Sequence, residues 1–404
     1  MQDNEKKPAL RFKGFTDPWE QRKLGDITVE LSEYATQELG LPLLTSSRSG
    51  LMYQDEYRDS RTTKSTETLF SVVPVGTCTY RHMSDDDVFH MNINTLEKGL
   101  VSREYPVFEA SKGNNLEFLV QHINSSEEFK AFCAEQKKGG TRTRLYYNTL
   151  CQFTVRVPAL KEQAQISQCL KKLDTLITLH QRKYEKLVNI KKSMLDKMFP
   201  QNGASVPEIR FKGFTDPWEQ RKLGEIAKEV VRNDPASDAP IMMITAGNGF
   251  IEQSDRYAFN NAGESLKKYI LLERGELAYN HGASKLRPYG SCFALTTVEK
   301  ARIPFVYHCF SVEKSNPEFL SIELNGANVE NQLRKIVSSG ARMDGLLNIA
   351  YSEYTEVTVQ LPKKEEQDWI AKFFKHLDTL ITLHQRKLEK LQNIKKSCLE
   401  KMFV

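Results

Sequence analysis

A 27-residue segment occurs twice in this chain and limits what the rest can become. Residues 173–199 read LDTLITLHQRKYEKLVNIKKSMLDKMF, and residues 377–403 read LDTLITLHQRKLEKLQNIKKSCLEKMF. The copies differ only at Tyr184/Leu388, Val188/Gln392, Met194/Cys398 and Asp196/Glu400. Neither contains Gly or Pro, and both are dense in Leu, Lys, Glu and Gln, which favour helix. Leu173, Ile177, His180, Tyr184, Leu187, Met194 and Met198 fall on one stripe at alternating spacings of four and three, interrupted by Lys191. This is a coiled-coil seam, and Leu377, Ile381, His384, Leu391 and Cys398 repeat it. A helix bounded by Pro158 and Pro200 would have about 39 residues and a length of roughly 58 Å. One such rod cannot bury its own stripe, so the second copy is the expected partner. If the rods pair antiparallel in full register, His180 and His384 meet near their midpoints.

A second repeat precedes each rod. RFKGFTDPWEQRKLG spans residues 11–25 and recurs unchanged at 210–224. The Thr-Asp-Pro-Trp-Glu stretch reads as a turn into a short helix, with Trp19 as a docking aromatic. Between short repeat and rod lie two unlike segments, 28–157 and 227–361, which share a skeleton. Gly76, Tyr80 and His82 match Gly275, Tyr279 and His281 at an offset of 199, and Glu117-Phe118-Leu119 matches Glu318-Phe319-Leu320. Short β-type runs alternate with turns. The expected fold is mixed α+β. Two similar α/β domains are joined by two long antiparallel coiled-coil helices about a pseudo-twofold, with segments 8–158, 159–199, 207–362 and 363–404.

Charge is uneven. Residues 171–197 carry +5 and residues 375–401 carry +4, leaving −4 for the rest of a chain of net +5. The seven cysteines are never spaced C-x-x-C, which points to reduced thiols, a cytoplasmic location and no metal site. No apolar run reaches the length of a membrane span, and no signal peptide is visible. Near-identical rods beside divergent domains imply that the constant parts meet the same partner twice and the variable parts meet different things. Two unlike readers on a ruler fit two different halves of one ligand; the alternative is a recent duplication without functional meaning.

The F-x-G-F-T-D-P-W opening, the P-x-x-x-E-Q start of each rod (Pro158 with Glu162-Gln163, Pro362 with Glu366-Gln367) and the L-D-x-L-I-T-L-H-Q-R-K rod resemble the specificity subunit of type I restriction–modification systems, in wording close to staphylococcal-type members. The resemblance implies that each variable segment is a target recognition domain reading one half of a bipartite double-stranded DNA site. It implies that the rods set the unread spacer, that two methylation subunits dock here, and that two restriction/translocase subunits join for cleavage. S-adenosylmethionine, ATP and Mg2+ would then belong to those partners, and this chain would bind no cofactor.

The chain's own motifs agree with a non-catalytic role. Asp17-Pro18-Trp19 lacks the second Pro of a methylase N/D-P-P-Y/F loop, and no G-x-x-x-x-G-K-[ST] phosphate loop occurs. Base and phosphate contacts need Arg, Lys, Asn, Ser or His on protruding loops. The candidates in the first domain are Ser46, Ser47, Arg48, Arg81, His82, Arg142 and Arg144. Those in the second are Asn248, Asn280, His281, Lys285, Arg287 and Arg342. Arg142 and Arg342 occupy matching places, which favours phosphate over base contact.

Overall fold

The computed structural model describes residues 7–57, 68–137, 139, 141–201, 203–256, 263–337 and 347–403. Two helices, Leu160–Lys197 and Lys364–Met402, run 38 and 39 residues. At about 1.5 Å per residue each is roughly 57–58 Å long.

The chain compacts into two units that cut across the middle of each long helix. Met1–Gln181 joins Arg386–Val404 in one unit, and Arg182–Gln385 forms the other. The expected four-segment division differs from this, for a physical reason. Half of one rod buries its stripe against the opposite half of the other rod, and both halves bury against an α/β body. In the first unit Leu173, Cys398 and Leu399 pack on the core built around Trp19, Phe118 and Ile166. In the second, Leu187, Ile190 and Met194 pack on the core that holds Phe374 and Leu377. In the first unit Asp174 pairs with Lys395 at 2.6 Å while Met402 shares a core with Ile166 and Leu170, and in the second Lys191 pairs with Asp378 while Phe199 meets Phe374 at 6.1 Å, so in each unit the halves run antiparallel. Carrying each register six residues along brings Glu389 to about the level of His180, and Glu185 to about the level of His384. The two histidines therefore belong to different units.

Each body carries a four-stranded antiparallel sheet of the same order. In the first it runs Thr28–Glu30, Val107–Ala110, Cys78–Thr79, Asn92–Ile93. In the second it runs Ala227–Glu229, His308–Val312, Leu277–Asn280, Ser291–Ala294. Two helices follow in each, Leu116–Ser125 with Glu127–Glu135, and Pro317–Leu324 with Ala327–Ile336. The residues after Trp19 differ from the expected helix. Glu20–Lys23 is a strand paired with Thr154–Val157, and only then does a single helical turn, Leu24–Ile27, begin. Its partner strand lies far along the chain, so no local signal marks it.

The identical short repeats form the joint where both rods are held. Arg11 donates two hydrogen bonds to Glu162, at 2.7 and 2.8 Å, and Arg210 does the same to Glu366 at 2.7 Å each. Both carboxylates are 1% exposed. The preceding residue closes the end of the opposite rod. Leu10 N donates to Lys401 O (2.7 Å) and Ile209 N to Lys197 O (2.9 Å), each satisfying a carbonyl that a helix end leaves open. Gln163 donates to Pro158 O (2.8 Å) and accepts from Asn115 N (2.9 Å). Asn115 in turn caps Leu116–Ser125 through Phe118 N (2.8 Å). Gln367, Pro362, Asn316 and Phe319 repeat that chain of contacts. Gly14 and Gly213 take φ of 100° and 103°, a positive-φ turn that glycine, having no Cβ, adopts at little cost.

Glu162→Ala leaves the Arg11 guanidinium uncompensated in a nearly dry site and should cost about 3 kcal/mol in urea unfolding. Lys98→Ala, which breaks an exposed 2.9 Å pair with Glu33, should cost less than about 1 kcal/mol. Burial also raises the carboxyl of Glu323 to about 7, while it accepts from Gln360 N at 3.0 Å. A raised folded-state value means the protonated acid is the stable form. Its contribution is full below the ordinary carboxyl range and is lost as pH rises through about 7. Glu323→Gln should therefore stabilise the protein by up to about 3 kcal/mol at pH 8 and change little near pH 4.5, measured by paired denaturant titrations.

Candidate nucleic-acid interface

In the first unit three separate segments converge. The hairpin Leu44–Ser47/Gly50–Tyr53 turns through Arg48 and Ser49. Asn92 ties that hairpin to the sheet, donating to Ser46 Oγ (2.7 Å) and Ser47 O (2.8 Å). The segment 81–87 leaves the sheet beside it. Thr143–Arg144 pairs with Met83–Ser84, and Leu145 N donates to His82 O at 2.9 Å. Arg48, Arg81, Arg142 and Arg144 are thereby brought to one region, all exposed.

Two residues counted as readers are not presented. Ser46 is buried and its hydroxyl is taken by Asn92. His82 is 3% exposed and stacks on Tyr146, with ring centroids 5.7 Å apart. Burial pushes its ring below the ordinary histidine value, and its Nδ1 has no hydrogen-bond partner among the described residues. Ser47 is half-buried and shapes the turn, donating to Gly50 O (3.0 Å) and accepting from Ser49 N (3.1 Å).

The second unit repeats the frame with other side chains. Its hairpin, Met242–Thr245/Gly249–Glu252, turns through three residues and exposes Asn248. Asn280 donates to Ile244 O (3.1 Å) and accepts from Gly282 N (2.9 Å), so its amide braces the hairpin. His281 is buried, with Nδ1 2.8 Å from Leu347 O and Nε2 2.7 Å from Val306 O. Arg287 donates to Asn325 O at 2.6 Å, and burial lowers its guanidinium from the ordinary value. Asn280, His281 and Arg287 are thus structural where the sequence suggested contact. Lys285 is exposed, and Arg342 lies outside the described residues.

Sequence reasoning missed the acids. Asp85 holds Arg142 (2.7 Å), Asp86 holds Arg48, and Asp87 holds Lys137 (3.4 Å). The run Ser84-Asp85-Asp86-Asp87, one residue after Arg81-His82, was the signal available. Among the described residues no cluster of His, Cys, Asp and Glu has the makings of a metal site.

The rod residues fall in a half-buried file, except Leu377, which is buried in the core of the second unit. Leu173, Ile177 and His180 belong to the first unit with Leu391 and Cys398, and Leu187 and Met194 belong to the second with Leu377, Ile381 and His384.

The burial contrast is testable. His82→Ala and His281→Ala should each destabilise by about 2–3 kcal/mol, whereas Arg81→Ala and Arg144→Ala should stay within about 0.5 kcal/mol of wild type in thermal unfolding.

The comparisons with known proteins fit this arrangement. A family model described as the type I restriction modification DNA specificity domain matches residues 90–189, which run from the first body into the first rod. A curated protein of Methanocaldococcus jannaschii, a putative type I restriction enzyme MjaX specificity subunit, is 22% identical over 298 residues. That match covers 69% of this chain and 64% of the relative, so it spans less than two thirds of the relative's length. The crystal structure of a type I restriction–modification system S subunit from M. genitalium aligns over 98% of this chain and 99% of its own, with TM-score 0.56 and 12% identity. An HsdS subunit from Thermoanaerobacter tengcongensis aligns over 95% and 96%, with TM-score 0.41 and 15% identity. Matched over residues 90–189 by the specificity-domain model and alike in fold along almost its whole length to an S subunit, the chain is similar to the specificity subunits of type I restriction–modification systems.

Proposed function

We propose that this chain reads DNA sequence for a type I restriction–modification complex and catalyses nothing itself. The observation that carries the reading is the repetition of one frame with unlike exposed residues. Leu145 N to His82 O and Leu347 N to His281 O are both 2.9 Å, yet the hairpin beside the first presents Arg48 and that beside the second presents Asn248. Arginine suits guanine edges and asparagine suits adenine, so the two units would read different words.

Each unit reads one half of a bipartite double-stranded site, and the helices that run without a break from one unit into the other set the unread spacer. The invariant joints and rods dock two methylation subunits, and two restriction/translocase subunits join them. Those partners carry S-adenosylmethionine, ATP and Mg2+ and direct adenine methylation and cleavage. The complex works in the cytoplasm. No helix of the described residues is long and apolar enough to cross a membrane.

The test is exchange of residues 28–157 for the same segment of a relative, followed by mapping of methylated adenines. One half of the target should change while the other half and the partner affinity persist. A change in both halves or in neither overturns the modular reading, and loss of all sequence preference with partners still bound would favour a protein-only coiled-coil adaptor.

A further inference from the structure

The segment that leaves the sheet after His82 is acidic, and its counterpart after His281 is not. At an offset of 199, Asp85, Asp86 and Asp87 correspond to Ser284, Lys285 and Leu286. The acids are not paired among themselves. Each meets a cation from a different part of the first body: Arg142 Nε on Asp85 at 2.7 Å, Arg48 on Asp86, Lys137 on Asp87 at 3.4 Å. Ser84 Oγ donates to Asp86 at 2.9 Å, which orients that carboxylate toward the hairpin tip. Arg48, Asp86, Arg142 and Asp85 are all more than half exposed, so each pair faces water and can open.

A surface built only to hold phosphates would not carry three carboxylates among its cations, because each repels the polyanion. Over base edges a carboxylate has a use. It accepts from the cytosine N4 amine, while arginine donates to guanine O6 and N7. Resting on the DNA-reading function, we propose that Asp85 and Asp86 are specificity-determining residues of the first unit. In the free protein they occupy Arg142 and Arg48. A phosphate met at random must displace a carboxylate and then leave it beside the backbone. A half-site with a G·C pair under the hairpin tip satisfies Arg48 and Asp86 together. The acids thus weaken binding to arbitrary duplex more than binding to the target.

The full-length chain, as wild type and as Asp85→Asn/Asp86→Asn, provides the test. Exposed pairs of this kind contribute little to folding, so the variant should fold, and its melting curve checks that. Affinity is measured for a poly(dI-dC) duplex across a salt series, and sequence enrichment from a randomised duplex pool. The variant should bind poly(dI-dC) roughly tenfold more tightly, with a salt slope steeper by about two, one for each cation freed for phosphate. Enrichment should relax at G·C positions in one half of the target only. Adding Arg48→Ala to the variant should remove about half of the gain in slope, which a merely structural role for the acids would not predict. Unchanged poly(dI-dC) affinity with unchanged enrichment overturns the inference. If instead the wild type enriches no sequence from the pool, the DNA-reading function itself fails.

Discussion

The structure depends on a guanidinium held in a nearly dry joint. Arg11 and Arg210 each meet a carboxylate at the start of a rod, and the residue just before each arginine closes the end of the other rod. One short repeat, with the residue before it, therefore grips the beginning of one helix and the end of the other. A buried ion pair is poor at adding net stability, but removing either partner is costly, so the pair selects one arrangement over others. Glutamine at the following position extends the grip into the body, reaching the proline carbonyl behind it and the capping asparagine beside it. Aromatic packing finishes the joint. Trp19 meets Phe118 at 5.6 Å, and Phe118 meets Phe403 at 5.5 Å. Trp218 meets Phe319 and Phe199 at 5.8 Å each.

These contacts show why some features were legible in the sequence and others were not. The rods were legible because a helix stripe is a local pattern, and a 27-residue copy repeats it. The Glu-Gln signature was visible as a resemblance, but its partners, Arg11 and Asn115, lie 151 and 48 residues away. The candidate readers divided by a property that no local window holds. Ser46 and Arg48 are two positions apart on one hairpin, yet one side chain points at Asn92 and the other at solvent. His82 and His281 look like loop histidines next to polar neighbours, and each is enclosed by segments from elsewhere in its body. Strand alternation alone would put Ser46 and Arg48 on one face; they part because Ser46 lies within the strand Leu44–Ser47 whereas Arg48 sits in the turn that follows it.

The joints are not identical in every part. Gln165 and Cys169 on the first rod stand where Trp369 and Phe373 stand on the second. In the second unit Trp369 packs edge-on to Phe211 (5.5 Å) and Phe214 (6.1 Å) while remaining 57% exposed. The shared short repeat thus supports two different rod starts. What the units hold in common is the polar grip of Arg, Glu and Gln. The apolar skin around that grip varies, as it can when volume and burial rather than specific hydrogen bonds are at stake.

Arginine–carboxylate pairs serve opposite ends in this molecule, and the local dielectric decides which. Arg11 with Glu162 and Arg142 with Asp85 have the same chemistry and the same 2.7 Å separation. In the first, the carboxylate is 1% exposed, neither charge can be rehydrated without dismantling the joint, and the pair is permanent. In the second, both groups are in water, where Coulomb attraction is cut several-fold and side-chain entropy opposes it. A pair of that strength is a resting state rather than a bond. Its partners remain available to any surface that offers a guanine acceptor to one and an amine donor to the other. The protein can therefore keep its frame rigid and its exposed loops exchangeable with one kind of side-chain pair, by placing it at different depths.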